Sequence, residues 1–187
     1  LKTKIPILKE LSNKVSSKVR DQYEESPYPK WIDLGWSLSP APIAKVVKVL
    51  KIRLFEHSII EVKAPTILIA GCGTGQHSID TAARFKNAKV LAIDLSLSSL
   101  AYAQRKTEAL GVQNLEYMQA DLLDLGQLNK TFDIIESAGV LHHMEKPMAG
   151  WKVLVSCLKV GGLMKIGLYS ELARQHIVKM REEIQQL

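Results

Sequence analysis

The chain has 187 residues, 47% of them hydrophobic and 24% charged, with a formal net charge of +6. That length suits one domain with a full-sized core, and the balance is that of an ordinary globular fold, not a disordered or repetitive one. No apolar run is long enough to span a bilayer, and Cys72 and Cys157 form neither a disulfide framework nor a metal-ligand pair.

The opening residues alternate lysines with single apolar residues and lack a signal-peptide pattern, which points to a reducing, cytoplasmic setting. Leu8, Leu11, Val15, Val19 and Tyr23 recur on one helical face. Residues 26–42 read as an aromatic, proline-studded loop that includes Tyr28, Trp31 and Trp36. A second helix is predicted from Pro40 or Pro42, with Ile43, Val46, Val47, Leu50 and Leu54 as its buried stripe. Residues 1–60 thus form a helical extension ahead of a main domain over 61–187.

From Thr66 the pattern alternates strand and helix. Strands are predicted over 66–70, 89–94, 115–119, 132–137 and 163–169. Helices are predicted over 76–86, 96–110 (Ser96 as N-cap, Gly111 past the end) and 147–158, the last closed by Gly161-Gly162. Ser170 caps a final helix through Leu172, Ile177 and Met180. Such alternation specifies an α/β, doubly wound, mainly parallel sheet with helices on both faces and right-handed crossovers.

The most informative stretch joins the first strand to its helix. Thr66-Ile-Leu-Ile-Ala runs into Gly71-x-Gly73-x-Gly75. Such a turn lets a ligand lie against bare backbone, with the unpaired N–H groups of a helix aimed at its negative end. Gln76 occupies the third-glycine position of a dinucleotide fingerprint, and no Lys-Ser/Thr pair follows as a phosphate loop demands. A plain strand-to-helix turn is the alternative. Against it, Lys89-Val-Leu-Ala-Ile-Asp94 ends in a carboxylate about 20 residues on, where open α/β folds bind ribose hydroxyls. A third strand ends at Asp121, and Phe132-Asp133-Ile-Ile-Glu136-Ser-Ala-Gly-Val-Leu-His142-His143 follows.

In this order the four motifs resemble those of class I S-adenosylmethionine-dependent methyltransferases. The resemblance implies a sheet in spatial order 3-2-1-4-5 and a cofactor, S-adenosyl-L-methionine, across the carboxyl ends of strands one, two and four. Gly71, Cys72, Gly73 and Gly75 would hold its methionine end. Asp94, followed by Leu95, would accept from both ribose hydroxyls; Asp121 would accept from the adenine amino group, with Leu122 beside the ring. Glu136 would either sit near the methionine amino group or end its strand in solvent. Two further strands of that family have no counterpart in the sequence, so the chain reads as a fragment with an unprotected fifth strand. Tyr23-Glu-Glu-Ser-Pro-Tyr28-Pro-Lys-Trp31 and Leu168-Tyr-Ser-Glu-Leu-Ala-Arg174 are similar to segments of bacterial methyltransferase modules attached to tetratricopeptide repeats. That likeness implies an N-terminal helical lid, with Tyr23 and Tyr28 donating to the methionine carboxylate; apolar glue for the extension is the other reading.

His142 and His143 invite a metal reading, but adjacent turn residues point apart and no third ligand is spaced for one, so no metal is expected. His143 is instead a candidate general base, against a loop-ordering role, because the methyl acceptor sheds a proton. The expected activity is methyl transfer by in-line displacement to an unidentified small molecule or protein. A catalytically inactive assembly module and a nicotinamide-dependent oxidoreductase are the alternatives. The dispersed lysines read as solvated faces, and the absence of an Asn/Asp-Pro-Pro-aromatic motif disfavours nucleic acid. A homodimer through the fifth strand or the final helix is expected.

Overall fold

The first strand of the sheet is apolar at four successive positions because both its faces are covered. Ile67 and Ile69 point into one buried cluster, with Ile79, Leu100 and Ala103. Leu68 and Ala70 point into a second, with Leu125, Leu141 and Leu154. Each fully buried Ile or Leu contributes about 1.5–3 kcal/mol of transfer free energy, so these two layers dominate the stability of the sheet.

The computed structural model describes residues 2–32 and 39–185. Among these, five parallel strands lie in the order β3-β2-β1-β4-β5. They are β1 (Thr66–Ala70), β2 (Lys89–Asp94), β3 (Leu115–Gln119), β4 (Phe132–Ala138) and β5 (Leu158–Gly167). The helices are α1 (Lys14–Glu25), α2 (Ile43–Val49), α3 (Gln76–Arg84), α4 (Leu97–Ala109), α5 (Pro147–Ser156) and α6 (Glu171–Gln185). Residues of α2, α3 and α4 join the cluster of Ile67, whereas α5 supplies Leu154 to the opposite face. The strand order reverses between β1 and β4, which opens a crevice at their carboxyl ends.

Local capping follows the sequence closely in the main domain. Ser96 caps α4 by accepting from Ser99 N–H, and Ser170 Oγ accepts from Ala173 N–H at the start of α6. Three expectations change. The first helix starts only at Lys14, because Asn13 Oδ1 accepts from Val15 and Ser16 N–H. Leu8 and Leu11 therefore lie outside it, and Leu8 N–H donates to Gln119 O on the edge of β3. The stripe on α2 ends early: the helix stops at Val49, and Leu50 is mostly exposed. Finally, Gly161-Gly162 does not close α5, which ends at Ser156. Both glycines lie inside β5, near the register shift against Phe132 and Ile134. A Cβ on Gly162 would sit 2.9 Å from the Asp133 and Lys159 carbonyl oxygens, so the backbones approach there too closely for a side chain. Of the predicted aromatic loop, residues 33–38, Trp36 included, lie outside the described residues, as do residues 186–187 of the final helix.

At the amino ends of the strands, Asp133 accepts from Thr66 N–H at 2.8 Å and from Lys159 Nζ at 2.9 Å. Burial works to raise its pKa, but these donors outweigh it and hold the carboxyl low. This pairing ties β1, β4 and β5 together on the side away from the crevice.

Candidate active site

A cavity of about 560 Å³ opens over the carboxyl ends of β1, β2 and β4, beneath α1 and the loop that follows it. Its floor is the turn after β1. Gly71, Gly73 and Gly75 all have positive φ, at 78°, 52° and 89°. Gly71 and Cys72 N–H both donate to Ile93 O at 2.9 Å, which clips the turn to β2. Gly73 N–H then donates to Asp94 Oδ2 at 2.8 Å, and Ser96 N–H to Oδ1 at 3.0 Å. Burial pushes the Asp94 pKa up, and the N–H donors of Ser96, Gly73 and Leu95 offset it only in part.

Of the residues singled out in the sequence, Tyr23, Tyr28, Gly71, Cys72, Gly73, Asp94, Leu95, Asp121, Leu122 and His143 line this cavity. Asp121 also caps the turn after β3, its Oδ1 accepting from Leu123 N–H at 2.9 Å. Burial raises the Cys72 thiol well above its ordinary value, so it stays neutral and unreactive. Burial and the nearby Asp94 charge likewise raise the Tyr23 phenol, which remains a neutral donor.

Two residues lie elsewhere. Gly75 sits behind the wall, where a Cβ would meet Ala103 Cβ at 2.5 Å, so its role is to let α3 and α4 close on each other. Glu136 is 4% exposed and turns under α3. It accepts from His77 Nε2 at 2.5 Å and from Thr81 Oγ1 at 2.9 Å. Burial opposes its ionisation, but His77, Lys165 and Thr81 prevail and keep its pKa low. The two adjacent histidines do not point apart: their ring centroids are 4.3 Å apart, and His142 stacks on Tyr169 at 3.8 Å. No group of three or more His, Cys, Asp or Glu side chains is placed to hold a metal among the described residues.

The segment after α1 is docked on the glycine turn, not draped over it. Trp31 is buried, its indole N–H donating to Thr74 O at 3.0 Å, and Thr74 Oγ1 donates to Pro29 O. Tyr102 Oη donates to Trp31 O at 2.8 Å, and Lys106 Nζ lies 5.0 Å above the Trp31 ring. Residues 28–31 thus sit directly on the glycine turn, where Gly73 has room only for a hydrogen: a Cβ would lie 2.6 Å from Tyr28 O. His77, Lys165 and Tyr169 also line the cavity, and no motif in the sequence marks His77 or Lys165 as site residues. His77 and Lys165 meet Glu136 from other elements, and no local spacing signals that meeting.

The family described as "Methyltransferase domain" matches residues 67–162, from β1 into β5. The chain belongs to that family. An uncharacterized protein of Synechococcus sp. is 41% identical over 121 residues, which is 64% of this methyltransferase-domain chain and 29% of that protein. A probable (S)-tetrahydroprotoberberine N-methyltransferase of Papaver bracteatum is 32% identical over 80 residues, 43% of this chain and 22% of its own length. The chain therefore spans less than a third of these two relatives. Among solved structures, the magnesium protoporphyrin IX methyltransferase of Synechocystis with bound S-adenosylmethionine has a TM-score of 0.54 at 23% identity. That likeness covers 81% of this chain and 75% of that one, and it shares the fold. No helix among the described residues is long and apolar enough to cross a membrane.

Proposed function

We propose that the chain binds S-adenosylmethionine in the cavity and transfers its methyl group to a nucleophile admitted under the lid. Asp94 carries this reading. Its carboxylate lines the cavity and is fixed there by the N–H donors of Gly73, Ser96 and Leu95. An ionised carboxylate only accepts, so one fixed in the lining at a strand's carboxyl end suits the hydroxyls of a ribose. A cavity of about 560 Å³ also falls within the usual range for a cofactor-sized ligand.

When bound, the cofactor supplies an electrophilic methyl group on a sulfonium. The chain's own residues bind, orient and shield. Asp94 and Leu95 take the ribose end, Asp121 and Leu122 the adenine end, and Gly71, Cys72 and Gly73 the methionine end near the N-terminus of α3. Tyr23 and Tyr28 donate from the lid, which excludes water and favours in-line attack through proximity. His143, at the cavity wall, accepts the proton that the nucleophile sheds.

The acceptor is a small molecule or a protein. The segment from Tyr23 to Trp31 supports a setting in a longer protein of the repeat-linked kind. Buried, unpaired Cys72 and Cys157 accord with a reducing, cytoplasmic compartment. Calorimetry with S-adenosylmethionine and with NAD tests the reading: binding of the first and not the second is expected, and the reverse would overturn it. Methyl release in the presence of cell extract separates an active enzyme from an inactive assembly module.

A further inference from the structure

Behind the cavity wall lies a cluster that none of the roles above uses. Glu136 on β4 and Lys165 on β5 are register partners in parallel strands, so their side chains share one face of the sheet. His77, in the first turn of α3, closes onto the same carboxylate. The three differ sharply in exposure. The Glu136 side chain is 5% exposed, that of His77 26% and that of Lys165 55%. The anion is therefore sealed inside, while both nitrogen-bearing side chains reach the cavity.

Their bonding is also unequal. Thr81 Oγ1 and His77 Nε2 already occupy Glu136 Oε2. Lys165 Nζ stands 3.9 Å from that oxygen, beyond hydrogen-bond reach, and makes no hydrogen bond among the described residues. The Nε2–H of His77 is committed to Glu136, which fixes the ring in the cavity wall.

We propose that Lys165, with His77 held beside it by Glu136, forms a carboxylate-binding subsite in the cavity wall. Lys165 supplies the point charge, and His77, held by Glu136, is a positioning residue that shapes the wall beside it. The inference rests on the S-adenosylmethionine reading, because two carboxylates can then reach this wall: that of the cofactor's amino-acid end, or one on the methyl acceptor. It also replaces the expectation for this strand end, an acid near an ammonium or ending in solvent, with a buried acid backing a cation that awaits a ligand acid.

Calorimetry on the full chain separates the cases, using Lys165→Met and His77→Ala. Lys165 is half exposed, so Lys165→Met tests the subsite even where His77→Ala disturbs α3. Three probes are titrated: S-adenosylhomocysteine, methylthioadenosine (the same nucleoside thioether without the amino-acid end), and malonate on protein saturated with S-adenosylhomocysteine. If the cofactor carboxylate is bound, Lys165→Met loses about tenfold or more for S-adenosylhomocysteine, His77→Ala loses less, and both keep wild-type affinity for methylthioadenosine. If an acceptor carboxylate is bound, both nucleosides bind as in wild type and malonate binding disappears. Variants that match wild type for all three probes, or that lose both nucleosides equally, overturn the subsite. A wild-type chain that binds neither nucleoside overturns the cofactor reading itself, a result distinct from any variant effect.

Discussion

Glu24 and Ser98, 74 residues apart, share two hydrogen bonds: Ser98 N–H to Oε1 at 3.0 Å and Ser98 Oγ to Oε2 at 2.6 Å. Lys2 Nζ joins them at 2.9 Å, and Ser96 Oγ donates to Tyr23 O. An acidic side chain at the open N-terminus of α4 is favourably placed, since unpaired N–H groups converge there. This latch fastens α1, the proposed lid, to the helix that follows the candidate ribose-binding acid.

The latch predicts an acid-labile lid. Burial alone would raise the Glu24 pKa, but Ser98 and Lys2 more than reverse that and bring it from 4.5 to about 2. A depressed acid stabilises the folded form above its unfolded pKa. Its contribution is therefore whole above pH 4.5 and disappears as the pH falls toward 2. Limited proteolysis of α1 between about pH 6 and pH 3 should show the lid loosening in that window. Glu24→Gln should be loosened at neutral pH and lose most of the acid dependence. An unchanged pH profile in this variant would show that Glu24 does not hold the lid.

Asp94→Ala removes the acceptor for two ligand hydroxyls and the anchor of Gly73 N–H. At about 1.5–3 kcal/mol for a hydrogen bond to a charged group, S-adenosylmethionine affinity should fall about tenfold or more. Wild-type affinity should also weaken on acidification, because only the carboxylate accepts from both hydroxyls. As burial holds the Asp94 pKa above 3.8, that loss begins at higher pH than for an ordinary aspartate. Calorimetry across the acid range checks both statements, and an Asp94→Ala variant with native affinity would refute the ribose assignment.

Gly73→Val should abolish binding, and the structure supplies a steric cause besides contact with the ligand. The new Cβ would lie 2.6 Å from Tyr28 O, at a φ of 52° that a branched residue adopts only under strain. The lid, not the sheet, should yield. Far-ultraviolet circular dichroism should stay near wild type while residues 26–32 become open to protease. A protease-resistant variant that still binds the cofactor would show that the lid does not need this close approach.

The parts of this architecture legible in the sequence are those set by local pattern. β1, β2 and β3 have their predicted bounds, because strands buried on both faces read as apolar runs between turn residues. The Ser96 cap is equally local. β5 was misplaced because a glycine pair after a helix and one at a bulge within a strand give the same signal. The spacing of Leu8 from Val15 fits one helical face, whereas its pairing with Gln119 depends on where β3 lies. At the site, Asp94 and Asp121 are strand-end acids that motif spacing finds. The contact of His77 with Glu136 joins α3 to β4 across the sheet, and nothing near either residue announces it.

The last prediction concerns association. Among the described residues, β5 pairs with β4 on one side only, which leaves a sheet edge with unpaired N–H and C=O groups. Beyond it, α6 exposes Leu172, Met180 and Ile184, at 78%, 56% and 67%. Apolar side chains repeated on a helix at this exposure favour burial against a partner surface. The chain should therefore self-associate, through the β5 edge or through α6, and light scattering over about a tenfold concentration range should record a rising mass. Leu172→Lys with Ile184→Lys distinguishes the routes: it lowers the mass if α6 is the contact and leaves it unchanged if the β5 edge is. A constant monomer mass in the wild-type chain at every concentration would sink the homodimer.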